Sequence, residues 1–439
     1  MSLTQWKVAW NTLSQLLGKV VGSGVMLLVS ILIAREFGAP GYGDFTKITT
    51  FVAFFYLLVD FGLNAVYLQR KSDWATLLGM RVVGGAVLMF IAIAVLSFLP
   101  QGETQGYTGL VRLGIILFTP TILIQGLIVS ANVIFQKRLR YDLATLALTI
   151  GNIVAVVLVW GTVYGLSSRV GVIGVTTSLL LGLCVTAIVS LFFVRQTEGP
   201  IRISFDRRVG KALFMAALPL GLTLLFNQVY FRIDSFVLAL TRSTSEVGFY
   251  GLAYKMFELP IVIPTFFMNS VYPLLLAQQM TQDVGRRTYE TKKLLNKSCI
   301  ILCLTSFVLS LAVWFAAPLL MYIRPEFAPS IPLLRILTLG LPFFFLSSLV
   351  MWALIALGKQ ITLAVIYGAL MALTIVSDVL VIPRYGAIGA AWITVGSEGL
   401  VLLLSSLYLR TALRYSTEVT KESTNDKSTN MQMNDEMLE

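Results

Sequence analysis

Two ionisable residues, Arg232 and Asp234, lie inside an apolar stretch, residues 218–240, that is long enough to cross a lipid bilayer. A charged side chain at the centre of a bilayer costs roughly 2.5–3.5 kcal/mol on insertion scales, so charges kept at this depth indicate a functional site. Because the residues are two positions apart, their side chains point about 200° apart around a helix. We therefore expect each to have its own partner, with Lys255 as the partner of Asp234.

The polar residues of this stretch gather on one side of the helix. At about 100° per residue they form a broad arc, and the opposite arc contains only apolar side chains. The polar arc consists of Thr223, Asn227, Gln228, Tyr230, Arg232, Asp234 and Ser235. One face thus suits water or a polar partner and the other suits lipid, which predicts a helix that lines a cavity.

Other ionisable residues occur at predicted membrane depth, namely Lys19, Lys47, Asp60, Lys255, Glu258, Asp378 and Glu398. Lys19 can line a cavity or snorkel to the membrane surface, and Lys47 is expected to snorkel. Lys255 and Glu258 are three positions apart on one helix, so they can pair with each other or contact the cavity.

The remaining acids leave similar alternatives. Asp60 is predicted either to fix the turn after the second helix or to take part in ion coupling. Asp378 is expected to pair locally, beside Ser377. Glu398 is the deepest acid, and is interpreted as an ion-coupling group or as a hydrogen-bonded packing residue.

Composition places these charges in a membrane protein. The chain has 439 residues, of which 57% are hydrophobic and 13% charged, and its mean hydropathy is +0.83. This predicts an all-α integral membrane protein. Histidine is absent, the three cysteines have no paired spacing, and no nucleotide-binding P-loop occurs, so we expect no metal site, no cofactor and no ATP hydrolysis.

Apolar runs of about 20 residues predict twelve transmembrane helices. They lie near residues 14–34, 46–66, 80–99, 111–134, 142–164, 171–194, 212–240, 247–277, 298–321, 329–356, 361–382 and 387–409. Most lysines and arginines, among them Arg81, are assigned to alternate connections, which predicts that both termini lie in the cytoplasm. The net charge of +11 is therefore read as a topology signal, and no nucleic-acid partner is expected.

The chain also repeats itself. Residues 169–175, RVGVIGV, return as RYGAIGA at residues 384–390, and residues 33–45 are echoed more faintly at 238–250. This predicts two pseudo-symmetric six-helix lobes, related by an axis along the membrane normal. The predicted parts are the lobes 1–196 and 212–410, a basic cytoplasmic linker 197–211 and a disordered cytoplasmic tail 411–439.

Four short segments rich in glycine and aromatic residues have the order and spacing of a known family. The segments are GAPGYG at 38–43, DFGL at 60–63, RIDSFV at 232–237 and VGFY at 247–250. In order and spacing the chain resembles the polysaccharide-transport branch of the MOP (multidrug/oligosaccharidyl-lipid/polysaccharide, MATE/MurJ-like) exporter superfamily, and most resembles its Wzx-type O-antigen flippases. The resemblance covers the chain up to about residue 410. It implies movement of undecaprenyl-pyrophosphate-linked oligosaccharide across a bacterial inner membrane, in lipopolysaccharide biosynthesis.

That resemblance gives roles to the candidate residues. A pyrophosphate leaving water needs cations, for which Lys19, Arg232 and Lys255 are available, and a guanidinium can bind phosphate through two hydrogen bonds. Arg232 is thus the first candidate for the residue that binds the pyrophosphate. The alternative is that Arg232 forms a structural ion pair with an acid on another helix. Asn227, Gln228 and Tyr230 are predicted sugar contacts. The acids Asp60, Asp234, Glu258, Asp378 and Glu398 are predicted charge partners, or ligands of H+ or Na+ as the coupling ion.

Two other functions compete with this one. A cation-coupled exporter of drugs or metabolites, from the same superfamily, fits the same helices. A multispan polysaccharide polymerase or ligase would need a large outer loop with acid/base residues, and the longest outer loops, 99–110 and 322–328, are short. We therefore predict a transporter that is not an enzyme.

Overall fold

The computed structural model describes residues 3–70, 73–102, 105–165, 168–279 and 284–436. Within these ranges the chain is almost entirely α-helical and contains no β-strand. The helices are α1 (Leu3–Asp60), α2 (Leu63–Arg70), α3 (Trp74–Phe98), α4 (Gly109–Phe118), α5 (Pro120–Arg138), α6 (Tyr141–Gly165), α7 (Ser168–Glu198), α8 (Arg207–Thr241), α9 (Thr244–Gln279), α10 (Val284–Ala316), α11 (Leu320–Ile323), α12 (Ser330–Leu339), α13 (Leu341–Ala356) and α14 (Gln360–Glu436). Two 3-10 turns, Ala317–Leu319 and Pro325–Phe327, flank α11. The all-α prediction is confirmed.

Ten helical stretches of the described residues are long and apolar enough to cross a membrane. Two of them, Gly18–Gln69 and Gln360–Leu413, contain 52 and 54 residues, whereas about 20 residues cross a bilayer. Predicted spans 1 and 2 fall in the first stretch, and predicted spans 11 and 12 fall in the second. The count of twelve and the cytoplasmic position of both termini stay predictions.

Helices α1 and α14 each bend at one internal glycine. Gly38 has φ 67° and ψ −167°, and Gly386 has φ 61° and ψ −145°. These conformations are essentially restricted to glycine, because a Cβ atom would clash with the backbone. Pro40 and Pro383 lie close by and cannot donate a helical hydrogen bond. Glycine and proline thus explain locally why each stretch bends here.

Large apolar side chains project outward from the spans. Phe90 is 66% exposed, Ile300 61% and Phe307 60%. A water-soluble protein rarely exposes so much apolar surface, whereas lipid accommodates it. The fold is that of a multi-pass membrane protein.

The chain forms two compact units. Unit 1 comprises Met1–Lys255, Pro318–Leu333 and Thr374–Ala390, and unit 2 comprises Met256–Ala317, Leu334–Leu373 and Ala391–Glu439. In unit 1, Tyr67, Phe135 and Leu213 belong to a buried apolar cluster that joins α2, α5 and α8. In unit 2, the ring pair of Phe257 and Phe344 joins α9 to α13 at 5.3 Å between centroids.

The predicted lobes 1–196 and 212–410 were drawn from the internal repeat, and their bounds differ from those of the two units. The lobes stay a prediction. Residues 411–439 were expected to form a disordered tail. The backbone of α14 is instead helical up to Glu436. Residues 437–439 of that tail lie outside the described residues.

Candidate functional site

Arg232 lies on α8 against an aromatic ring of α9. Its guanidinium carbon is 5.3 Å from the centroid of the Tyr254 ring, within the range of a cation–π interaction. The Tyr254 hydroxyl donates a hydrogen bond of 3.0 Å to the carbonyl of Phe231, back on α8. Tyr254 therefore binds α8 through both its ring face and its hydroxyl, and the side chain of Arg232 is half-buried at this contact.

Asp234 is buried, and it contacts a second tyrosine of α9. Its carboxylate accepts hydrogen bonds from the Tyr250 hydroxyl and from the backbone N–H of Ser235. The rings of Tyr250 and Tyr254 are 5.7 Å apart. The two charged residues of α8 thus contact different tyrosines of α9, which are one helical turn apart: Arg232 contacts Tyr254, and Asp234 contacts Tyr250. The predicted pairing of Asp234 with Lys255 stays a prediction.

Asp378 on α14 is fully buried, and neither of its carboxylate oxygens has a hydrogen-bond partner. The prediction that it pairs locally is therefore wrong. Neighbouring residues of a helix point about 100° apart, so Ser377 does not share the buried face that Asp378 occupies. Asp378 lies within electrostatic reach of Asp234, and the two carboxylates repel each other. The structure thus brings together two acids of unit 1 that are distant in sequence.

Asp60 forms an ion pair that its sequence position did not suggest. It lies 2.8 Å from Arg81, which is fully buried and also donates to Asn64 at 2.8 Å and to Ser130 at 3.4 Å. The sequence placed Arg81 in a basic cytoplasmic loop, and this is wrong. Helix α3 already begins at Trp74, so Arg81 lies two turns inside it. A buried guanidinium needs such partners, because loss of one leaves an uncompensated charge.

Glu398 and the remaining candidates are spread over several elements. Glu398 is buried in unit 2, where its carboxylate accepts a hydrogen bond from Ser347. Lys19 is exposed on α1. Asn227 and Gln228 are half-buried on α8, Tyr230 is buried there, and Lys255 and Glu258 are half-buried on α9.

Lys47 is a residue whose role the sequence did not indicate. It is fully buried, and its ammonium donates to the carbonyl of Gly106 at 2.7 Å and to the hydroxyl of Thr244 at 2.8 Å. The expectation that it snorkels to the membrane surface is therefore wrong. Its partners come from the loop before α4 and from the start of α9, and sequence spacing alone cannot place them next to α1.

The turn at Gly38 is held by a group that we call the Gly38 clasp, formed by Arg324 and Glu326. The backbone N–H of Ala39 donates to Glu326 at 3.3 Å. Arg324 lies 3.3 Å from the same carboxylate and donates to the carbonyl groups of residues 35 and 36, both at 3.4 Å. The acid thus binds a backbone N–H exposed by the bend, and the arginine binds the freed carbonyls.

The turn at Gly386 is held in the same way, by a group that we call the Gly386 clasp, formed by Arg242 and Glu246. The N–H of Ala387 donates to Glu246 at 2.7 Å, and Arg242 lies 2.8 Å from the same residue. Arg242 also donates to the carbonyl of Pro383 at 3.4 Å. Both clasps belong to unit 1.

Glycines near the Gly38 clasp allow α1 to approach the start of α9. A Cβ atom on Gly43 would lie 1.9 Å from the carbonyl oxygen of Thr244, and one on Gly248 would lie 2.1 Å from that of Ala39. Side chains at these two positions would therefore collide with backbone. Together with the hydrogen bond from Lys47 to Thr244, these contacts attach α1 to the start of α9.

A family profile described as "Polysaccharide biosynthesis protein" matches residues 8–279, and a MatE profile matches residues 219–380. No curated protein sequence matches the chain at a significant level. The N-terminal profile covers more than half of the chain, including α8 and its charges.

Solved structures of similar fold are transporters. An inward-facing multidrug resistance MATE transporter of the MOP superfamily has a TM-score of 0.70 at 14% identity, over 90% of this chain and 96% of that one. The lipid II flippase MurJ, in an inward closed conformation, has a TM-score of 0.71 at 16% identity, over 94% and 90%. A MOP superfamily transporter from Pyrococcus furiosus has a TM-score of 0.63 at 14% identity, over 94% and 96%. At these identities the likeness establishes the fold, which is that of MOP-superfamily transporters.

Proposed function

The chain belongs to the polysaccharide biosynthesis protein family, and from this premise we propose that it is a flippase for undecaprenyl-pyrophosphate-linked oligosaccharide, such as an O-antigen repeat unit. It carries this lipid from the cytoplasmic to the periplasmic leaflet of a bacterial inner membrane. Its lobes alternate between two arrangements, which differ in their affinity for the substrate. The family and the fold support the class of protein, and the site supports the choice of substrate.

The observation that carries this proposal is the cation–π contact between Arg232 and Tyr254, in which Arg232 is half-buried within an apolar helix. The N–H groups of a guanidinium lie in one plane, the geometry in which it binds two phosphate oxygens side by side, and the Tyr254 ring fixes where this guanidinium lies. Aromatic rings and amides, here Tyr230, Asn227 and Gln228, suit sugar groups. In the proposed cycle Arg232 binds the pyrophosphate, and the polar arc of α8 contacts the first sugars.

A second candidate, a cation-coupled exporter of drugs or metabolites, is favoured by Asp378. A buried carboxylate without hydrogen bonds, repelled by a neighbouring acid, is stabilised by a proton or a small cation. We propose that Asp234 and Asp378 hold the coupling ion, H+ or Na+, in either function. Glu398, already bound by Ser347, acts as a packing residue.

One experiment separates the two functions. The gene is deleted in its host, and the leaflet in which lipid-linked repeat units accumulate is determined. The flippase predicts accumulation on the cytoplasmic leaflet, relieved by re-expression. An unchanged glycolipid pool together with altered drug sensitivity would support the exporter.

The role of Arg232 is tested in the same strain. Arg232→Ala should abolish surface glycan at matched protein level, and Arg232→Lys should retain part of it, because an ammonium keeps the charge but loses the two-point contact. Full activity of both variants would refute the phosphate contact.

The role of Asp378 is tested in vesicles. Asp378→Asn, a near-isosteric change, should abolish the dependence of transport on an imposed H+ or Na+ gradient. Glu398→Gln is the matched control and should retain that dependence. Equal gradient dependence of the Asp378 variant and the wild type would refute the coupling role.

A further inference from the structure

A cavity of about 300 Å³ lies in unit 1, where α3 begins and α5 and α7 end. Three candidate spans end at it, since one begins at Trp74 and two end at Arg138 and Glu198. It is lined by Tyr67, Asp73, Trp74, Lys137, Glu198 and Arg202, among others. A cavity at the boundary between apolar spans and a basic segment has the depth of lipid headgroups. Its volume is at the lower end of small-molecule sites, too small for an oligosaccharide.

The acids of this cavity are already bound by protein donors. Asp73 caps α3: it accepts from the backbone N–H groups of Ala75 and Thr76, and from the hydroxyls of Thr76 and Ser204. The hydrogen bond from Thr76 is the main cause that holds the pKa of Asp73 below its usual value, so this carboxyl stays ionised. Glu198 accepts from Arg138 at 2.8 Å. Neither acid needs a further cation.

Unlike the acids, the two basic residues that line this cavity have no hydrogen-bonded protein partner among the described residues. Lys137 and Arg202 are exposed, and within the described part of the chain neither of them forms an ion pair. The ammonium of Lys137 lies 5.9 Å from the centroid of the Tyr67 ring. The Trp74 indole donates to the carbonyl of Ser130 at 2.9 Å, which fixes its orientation beside the cavity. Lys137 interacts with Glu198 only through longer-range electrostatics, so both exposed cations keep N–H groups that can donate to an anion.

We propose that this cavity binds a phosphate group, held between Lys137 and Arg202, and that its source is the headgroup of an anionic phospholipid. Lys137 and Arg202 balance the formal charges of Asp73 and Glu198 in the lining, and Arg138, which binds Glu198 from beside the cavity, adds one positive charge that can compensate a phosphodiester. The site does not depend on the transport function proposed above.

Bound lipid would fasten the segment between α7 and α8. That segment is already attached to α3, because the N–H of Ser204 donates to the carbonyl of Ala75 at 3.2 Å. Arg202 extends this attachment to the end of α5 through the phosphate. Anionic lipid would therefore hold the connection between the two predicted lobes.

The test is a titration of the full-length protein in detergent with short-chain phosphatidylglycerol, followed by mass spectrometry of the intact complex. Each basic residue near a lipid phosphate contributes about fivefold to binding, so Lys137→Ala/Arg202→Ala should weaken it about 25-fold. Arg208→Ala/Lys211→Ala removes the same charge from exposed positions on α8 outside the cavity, and should leave binding unchanged. Lys137→Glu alone should weaken binding more than Lys137→Ala, and the melting temperature of each variant without lipid reports its folding.

Two further probes identify the ligand chemistry. Diacylglycerol, which lacks the phosphate, should bind far more weakly than phosphatidylglycerol. Failure of millimolar inorganic phosphate to displace the lipid supports the headgroup as the source; displacement would assign the site to a soluble phosphate. Equal weakening by both double variants, or equal binding of diacylglycerol, would overturn the site.

Discussion

The Gly38 clasp and the Gly386 clasp have the same chemistry but hold different parts of the chain. In both, a glutamate accepts from the N–H that follows a glycine of positive φ, and an arginine binds the glutamate and nearby carbonyls. Glu246 and Gly386 both fall in the second predicted lobe. Glu326 also falls in the second lobe, but Gly38 lies in the first, and the N–H that Glu326 binds, that of Ala39, is 287 residues earlier in the chain.

The bond lengths and exposures of the two clasps also differ. The ion pair of the Gly386 clasp is 2.8 Å long, with side chains 33% and 22% exposed, whereas that of the Gly38 clasp is 3.3 Å, with side chains 42% and 36% exposed. An exposed pair contributes little net free energy. We infer that the contact within one predicted lobe is permanent, and that the contact between the two predicted lobes breaks whenever the protein opens at this end.

Cross-linking gives the largest expected effect. In a background without the three native cysteines, Ala39→Cys/Glu326→Cys joined by a short thiol-reactive cross-linker should abolish transport, because the lobes can no longer separate at this end. Ala387→Cys/Glu246→Cys joined in the same way should leave transport nearly unchanged. Equal inhibition at both clasps would remove the distinction, and reduction of a cleavable cross-linker should restore activity.

Substitution of the two glycines comes next. Gly386→Ala should destabilise the protein by about 1–3 kcal/mol, because alanine is strained at φ 61° and its Cβ would lie 1.9 Å from Glu246. Gly38→Ala meets the side chains of Glu326 and Arg324, which are more exposed and can move away. Thermal unfolding in detergent should show the larger loss for Gly386→Ala; the reverse order would contradict a permanent Gly386 clasp.

Neutralising the glutamate of each clasp should have a moderate effect, and the effect should differ between Glu246 and Glu326. Glu246→Gln should lower stability by about 1–2 kcal/mol, since a charge-assisted hydrogen bond to a backbone N–H is weakened. Glu326→Gln should change stability by less than about 1 kcal/mol. It should instead shift the protein toward the state open at this end, which cysteine accessibility at Ala39 would measure. No change in accessibility would count against a breakable clasp.

Salt gives the smallest effect. At about 1 M salt the Debye length falls to roughly 3 Å, so the more exposed pair of the Gly38 clasp is screened first. Cysteine accessibility at Ala39 should rise with salt, whereas that at Ala387 should stay nearly constant. Parallel increases at both positions would indicate general loosening of this end.

Much of the architecture could be predicted from the sequence, because membrane insertion depends on the summed hydropathy of a window of residues. The apolar runs predicted helices and a multi-pass class, and both are confirmed. The predicted gaps between spans 1 and 2 and between spans 11 and 12 contain Gly38 and Gly386, where α1 and α14 bend. The span count could not be fixed in this way, since a bend at one glycine can separate two spans or interrupt one long helix.

The partners of the charges could not be predicted in the same way. Arg81 was assigned to a loop because its basic character resembles a topology signal, yet Asp60 and Asn64 bind it inside α3. Asp378 was expected to pair beside Ser377, but its carboxylate has no hydrogen-bond partner and lies within electrostatic reach of Asp234. Lys47 was expected at the membrane surface, and it is buried against Gly106 and Thr244.

The sequence by itself determined that this protein is an α-helical membrane protein with ionisable groups retained at membrane depth. It also determined where the apolar runs are interrupted, because hydropathy is a property of short windows of residues. Tertiary structure alone decided that Arg232 and Asp234 meet separate tyrosines of α9, that Asp378 is buried without a partner, and that Glu326 closes a turn 287 residues earlier. Such contacts depend on which faces of remote helices pack together, and the free energy of that packing is shared among many residues.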